Sequence, residues 1–189
     1  MSGTIPPCRT VRVLTFHGDR SRRTARTIRL ALASERKGRG AGPSVIDQLL
    51  LVGHAGVSFD LGLSIFGFHP DGSGLPVWKL VDHLRSGQAL QGVVRGDTAV
   101  FAAADTRGLL VQSLDVILPD PQWRSFQLAL DAERRNSQYS YGLPDGDGDC
   151  NCITWLERLG LPLLTGRLTE FTGLSGFVSL PRRRFGRCV

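Results

Sequence analysis

Residues 145–160, DGDGDCNCITWLERLG, constrain this chain more than any other stretch. Alternating aspartate and glycine favour a tight turn up to residue 149. Ile153, Leu156 and Leu159 then fall on one helical face, and Gly160 followed by Pro162 supplies a stop. Asp149 or Asn151 can cap that helix with a side-chain oxygen. Cys152 is thereby set in the first turn, where free backbone N–H groups and the helix dipole favour an anion. A thiol at such a place is expected to have a lowered pKa, and the thiolate is the nucleophile.

A nucleophilic thiol needs an imidazole to take its proton and a polar group to hold that imidazole. Residues 53–60 (GHAGVSFD) read as a strand with small residues, 61–63 as a turn, and 64–69 (SIFGFH) as the returning strand. A register that pairs Asp60 with Leu63 also sets His54 opposite His69, and opposed residues share a face of the sheet. A single bulge would undo that relation.

The remaining elements follow in order. Residues 11–16 (VRVLTF) read as a strand, 20–36 as an arginine-rich helix, and 37–43 (KGRGAGP) as a breaker. That breaker divides an amino-terminal strand and basic arm (1–43) from a main domain of 44–180, with a basic tail at 181–189. Residues 45–52 are apolar enough for a buried element. Residues 77–84 form a short helix with Trp78 and Val81 packing, and 91–103 and 108–118 read as strands. Asp120 as N-cap and Pro121 as N1 open a helix whose Trp123, Phe126 and Leu130 share one face. The expected fold class is α+β: a small antiparallel sheet packed against helices, with the Cys152 helix docked on it.

Composition narrows the function classes. The 189 residues suit one domain, and 23 basic against 17 acidic side chains leave a net charge of +6. Arginines gather in 20–39 and in 181–187 (PRRRFGR), runs that attract nucleic acid, acidic lipid or acidic protein surfaces. They lack the interleaved aromatics of single-strand binders, so a solvated basic face is expected rather than a nucleic-acid partner. No apolar run is long enough for a membrane span, and the first residues lack the apolar core of a signal peptide. A cytoplasmic protein is expected, or one exported without a signal peptide as a secretion-system effector.

Cys8, Cys150, Cys152 and Cys188 are too few, and too oddly spaced, for a disulfide scaffold. Cys8 and Cys188 could pair in an oxidising compartment. Cys150 and Cys152 with two histidines would make a tetrahedral zinc set, but zinc pairs usually leave two to four residues between cysteines. The loop from Asp145 has the opening rhythm of a calcium loop, yet Leu156 stands where the twelfth-position glutamate belongs. No metal and no cofactor are expected.

Together these segments resemble the circularly permuted papain-like hydrolases of the NlpC/P60 superfamily, which include the lecithin:retinol acyltransferase-like branch. The matching pieces are GHAGVSF at 53–59, SIFGFH at 64–69, the helix from Pro121, YSYG at 139–142 and NCITW at 151–155. They span roughly residues 45–165, a domain-length resemblance. The resemblance implies Cys152 as nucleophile, His54 as general base and His69 as the group that orients His54. Asp60, Asp71 and Ser58 stand nearby as other candidates for that third place. Asn151 and Asp149 would support substrate or oxyanion, with the Cys152 N–H as an oxyanion donor. The acidic loop and Cys150 depart from the family pattern. The implied activity is a peptidase or amidase acting through an acyl-cysteine on a peptide, protein or acyl substrate. Thioester, lipid-ester and deamidation chemistry also fall within the family, and a protein target or inhibitor is the implied partner. A catalytically inactive binding module is the alternative, and a basic nucleic-acid binder a second.

Overall fold

A computed structural model describes residues 7–19, 21–40, 44, 53–142, 148 and 150–161. Six strands form one sheet: β1 (Cys8–His17), β2 (Gly53–Ser58), β3 (Phe66–Pro70), β4 (Leu90–Gly96), β5 (Val111–Pro119) and β6 (Ser140–Tyr141). Their spatial order is β5-β1-β2-β3-β4-β6, and each neighbouring pair is antiparallel. The helices among the described residues are α1 (Arg22–Arg36), α2 (Val77–Arg85), α3 (Thr98–Thr106), α4 (Asp120–Arg135) and α5 (Cys152–Arg158). The protein is thus α+β. No helix among the described residues is long and apolar enough to cross a membrane.

Strand alternation sorts the core into two layers. Val11 and Val13 of β1, Ala55 and Val57 of β2, and Phe68 of β3 pack with Phe126 and Leu130 of α4 and with Ile153, Trp155 and Leu156 of α5. Leu14 and Phe16 of β1 face the other way, onto Val100, Phe101 and Ala104 of α3. Trp155 is wholly buried and stacks on Phe68, with ring centroids 5.3 Å apart and planes 9° apart. That stack fixes α5 against the middle of the sheet. Burying two large rings supplies several kcal/mol by area, on the order of 2–3 kcal/mol for each.

The β2–β3 hairpin takes the expected register: Gly56 opposes Gly67 and Val57 opposes Phe66, which aligns His54 with His69. The strands are shorter than residues 53–60 and 64–69, because Ser58 and Asp60 close the turn with their side chains. Ser58 Oγ accepts from Gly62 N at 2.7 Å and donates to Asp60 Oδ1 at 2.7 Å, while Asp60 Oδ1 accepts from Ser64 N at 2.8 Å.

Four sequence expectations change. Residues 91–103 are not one strand: β4 ends at Gly96, and α3 begins at Thr98. Alanine-rich 99–104 carries strong helix formers, and Asp97 breaks the β pattern ahead of them. The expected division at residue 43 does not set the amino-terminal strand apart, since β1 lies inside the sheet between β5 and β2. Pro119, not Asp120, is the N-cap of α4; the Asp120 carboxylate instead accepts from Arg124 at 2.6 Å. In α2 the buried residue is Leu80, while Trp78 is half-buried under Arg36 and Lys79. The apolar 45–52 segment, the 181–189 tail and Cys188 lie outside the described residues.

Candidate functional site

Three elements converge on one buried carboxylate. Asp97 sits at the N-cap of α3, where such a side chain ordinarily accepts from the helix's own N–H groups, but it makes no side-chain cap bond. Its backbone N–H donates to Ile65 O at 2.7 Å, which anchors it beside the β2–β3 hairpin. The carboxylate turns to the two histidines instead. His54 Nε2 is 2.7 Å from Oδ2, and His69 Nε2 is 2.8 Å from Oδ1 and 2.9 Å from Oδ2. His54, His69 and Asp97 are 1%, 3% and 2% exposed.

The neighbours explain why the cluster closes so tightly. The imidazole rings of His54 and His69 lie 4.7 Å apart, and His54 packs beside Phe16 and Phe101. Gly67 lies between them on β3. A Cβ at that position would collide with the Asp97 carboxylate and with His54 Nε2. Glycine is therefore a steric condition for the cluster, not only a weak strand residue.

Electrostatics fix the protons. Burial pulls the Asp97 carboxyl upward, but the hydrogen bonds from His54 and His69 outweigh it and hold the pKa at about 2. Asp97 is thus an anion, and both Nε2 atoms are donors. Burial lowers the His54 pKa, against the opposing pull of Asp97, so His54 rests as a neutral imidazole. With the proton on Nε2, its Nδ1 carries the lone pair. Nδ1 is buried and has no hydrogen-bond partner among the described residues.

Cys152 is built separately. Asn151 caps α5 as expected: its Oδ1 accepts from Ile153 N at 2.9 Å and Thr154 N at 3.0 Å. Thr154 Oγ1 accepts in return from Asn151 N at 2.8 Å, completing a capping box. Gly160, at φ +94°, ends the helix. The segment before α5 is pinned to β6, with Cys150 N donating to Ser140 O and Gly142 N to Cys150 O at 3.0 and 2.9 Å. The ladder between β2 and β3 is two pairs long, and α5 packs on both strands.

The thiol meets the Ala55 backbone N–H, one residue from His54. Burial dominates and pushes the thiol up to about 11; the N–H groups of Ala55, Cys152 and Ile153 pull it down, and Asp97 raises it further. This overturns the expected low pKa. A seven-residue helix end, fully desolvated, does not offset the loss of water around a thiolate. The Tyr141 phenol is also raised, by burial and then by Cys152, so it stays a hydrogen-bond donor within electrostatic reach of the sulfur.

The structure therefore unites His54 with His69 but does not hydrogen-bond either to Cys152. His54 and Ala55 project from opposite faces of β2, and the thiol packs with Ala55, Val57 and Phe68. His69 does not hold His54 directly; both share Asp97. The other candidates for the third place are engaged elsewhere, Ser58 and Asp60 in the hairpin turn and Asp71 with Ser73 at 2.6 Å. Asn151 spends its carboxamide oxygen on the cap, and Asp149 lies outside the described residues. The Cys-x-Cys pair does not meet the histidines: among the described residues, the donor group with metal-ligand spacing is His54, His69 and Asp97. Sequence reading missed Asp97 because it lay inside an assumed strand. The pair Asp97-Thr98 ahead of an alanine run was the available signal.

Comparison of the chain with protein-family models, with curated proteins and with solved structures gave no match.

Proposed function

We propose that the protein is a cysteine-dependent hydrolase of the peptidase or amidase type, papain-like in permuted order, with Cys152 as nucleophile and His54 as base. The carrying observation is a neutral His54, oriented by Asp97 and with a buried Nδ1 unpartnered among the described residues, one residue along β2 from the Ala55 N–H that the thiol meets. In the reaction the Cys152 proton passes to His54 Nδ1 while Nε2–H stays on Asp97. Sulfur attacks the acyl carbon, and the backbone N–H groups of Cys152 and Ala55, with the Tyr141 hydroxyl, receive the oxyanion. His54 then protonates the leaving amine, and water releases the acyl group from sulfur. A raised thiol pKa suits this order, in which the proton leaves only as the substrate arrives. Because His54 and the thiol pack on opposite faces of β2, this step requires the start of β2 to rearrange on binding substrate so that Nδ1 and the sulfur meet.

The test uses a p-nitrophenyl ester as a generic acyl donor, with the modified residue located by peptide mass spectrometry. Stoichiometric acylation on Cys152, abolished by Cys152→Ala and slowed by His54→Ala but not by Cys150→Ala, supports the reading. Acylation that ignores His54, or none on Cys152, rejects it. The domain would then be a catalytically inactive binding module.

A further inference from the structure

We infer that His54, His69 and Asp97 form a binding site for a divalent transition ion of the zinc type. A proton relay between Cys152 and His54 needs one imidazole on the carboxylate. Here two imidazoles bring the same ring nitrogen, Nε2, to one carboxylate, at 2.7 Å for His54 and 2.8 Å for His69. The second imidazole has no part in moving the thiol proton. Its presence fits a three-donor set, with ligand atoms all within 4.8 Å of one another and drawn from β2, β3 and the N-cap of α3.

The donor chemistry selects the ion. Two imidazoles with a single carboxylate suit zinc-like ions, whereas magnesium and calcium want several oxygens. Bonds of roughly 2.0–2.1 Å in tetrahedral geometry place ligand atoms about 3.3 Å apart. The nitrogen-to-oxygen separations are shorter by about half an ångström, so the carboxylate and each ring draw apart slightly as hydrogen bonds give way to metal bonds. Gly67 keeps the space against the Asp97 carboxylate and His54 Nε2 clear of a Cβ. In the metal-bound state each ligating imidazole presents a bare Nε2 and carries its proton on Nδ1, and the carboxylate stays an anion.

The consequence for the thiol rests on the hydrolase reading: a metal-bound His54 already bears a proton on Nδ1 and cannot accept one from Cys152. Metal occupancy and acyl transfer then exclude each other.

The experiment titrates the full chain, stripped with EDTA, with Co²⁺ and with Zn²⁺, and reads the visible Co²⁺ bands and bound metal per chain. One ion per chain is expected, with no sulfur-to-cobalt charge-transfer band and unchanged affinity in Cys150→Ser and Cys152→Ser. His69→Gln, checked for folding by circular dichroism, should weaken binding by more than about tenfold. Absence of saturable binding by the folded wild type overturns the site, as does a charge-transfer band or full affinity in His69→Gln. The wild-type spectrum decides even if His69→Gln does not fold. Acylation of Cys152 in EDTA is scored separately. Failed metal binding with His54-dependent acylation removes this site alone; metal binding with His54-independent acylation removes the hydrolase alone.

Discussion

Asp97 stands at the head of α3, yet its carboxylate serves His54, whose Nε2 lies 2.7 Å away, and leaves the helix uncapped. Both groups are buried, so the carboxylate's removal strands two imidazole donors in an apolar layer. Each charge-assisted bond is worth roughly 1.5–3 kcal/mol. Asp97→Asn should lower the unfolding free energy by about 3 kcal/mol in urea titration and slow acylation of Cys152 along with it. A variant as stable and as reactive as the wild type would remove Asp97 from the site.

Acid should weaken the metal-free protein in two stages. The folded His54 pKa lies below its ordinary 6.5, so the unfolded chain binds that proton more readily, and stability falls as pH drops below 6.5. The Asp97 pKa is depressed from 3.8 to about 2, so its contribution is complete above pH 3.8 and drains away as pH falls toward 2. A shift of that size is worth about 2 kcal/mol. Urea midpoints collected against pH in EDTA check both stages, and His54→Gln should erase the upper one.

Much of this arrangement was legible before any coordinates. The opposition of His54 and His69 followed from pairing one short hairpin, and the helix at Cys152 from an asparagine cap and apolar spacing. Asp97 was not legible as a site residue, because Val93, Val94, Val100 and Phe101 read as one apolar strand, and the Asp97-Thr98 pair marks a helix start without showing that the carboxylate turns to the histidines. The thiol's protonation was misread for a related reason. Helix position is local and visible in sequence, but desolvation belongs to the assembled core, and for Cys152 it wins.

That desolvation predicts how Cys152 reacts with iodoacetamide. With a thiol pKa of about 11, the thiolate fraction grows about tenfold for each pH unit between 7 and 10. The site-resolved alkylation rate should climb across that range without a plateau. A plateau below pH 8 would mark a preformed thiolate–imidazolium pair and overturn the neutral resting state.

Gly67 tests the packing of the cluster without touching its chemistry. A methyl group there meets the Asp97 carboxylate and the His54 ring, two groups locked by their own hydrogen bonds. Overpacking of this kind costs about 1–3 kcal/mol, and the upper end applies where neighbours cannot turn aside. Gly67→Ala should therefore destabilise by about 3 kcal/mol in thermal or urea unfolding. Gly96→Ala, whose Cβ meets nothing within 4 Å, is the matched control and should change little.

Asn151 separates placing the nucleophile from activating it. Its Oδ1 holds the Ile153 and Thr154 N–H groups, and Cys152 is the first residue of the helix so capped. Asn151→Ala removes those acceptors and should cost about 1–2 kcal/mol. Asn151→Asp keeps an acceptor at the same reach, so the cap and most of the stability return. If Asn151 also held substrate or oxyanion through its amide N–H, Asn151→Asp would be stable but slow to acylate Cys152. Because the side chain is spent on the cap, Asn151→Asp should acylate at close to the wild-type rate. A folded, slow Asn151→Asp would restore the direct role that the capping geometry argues against.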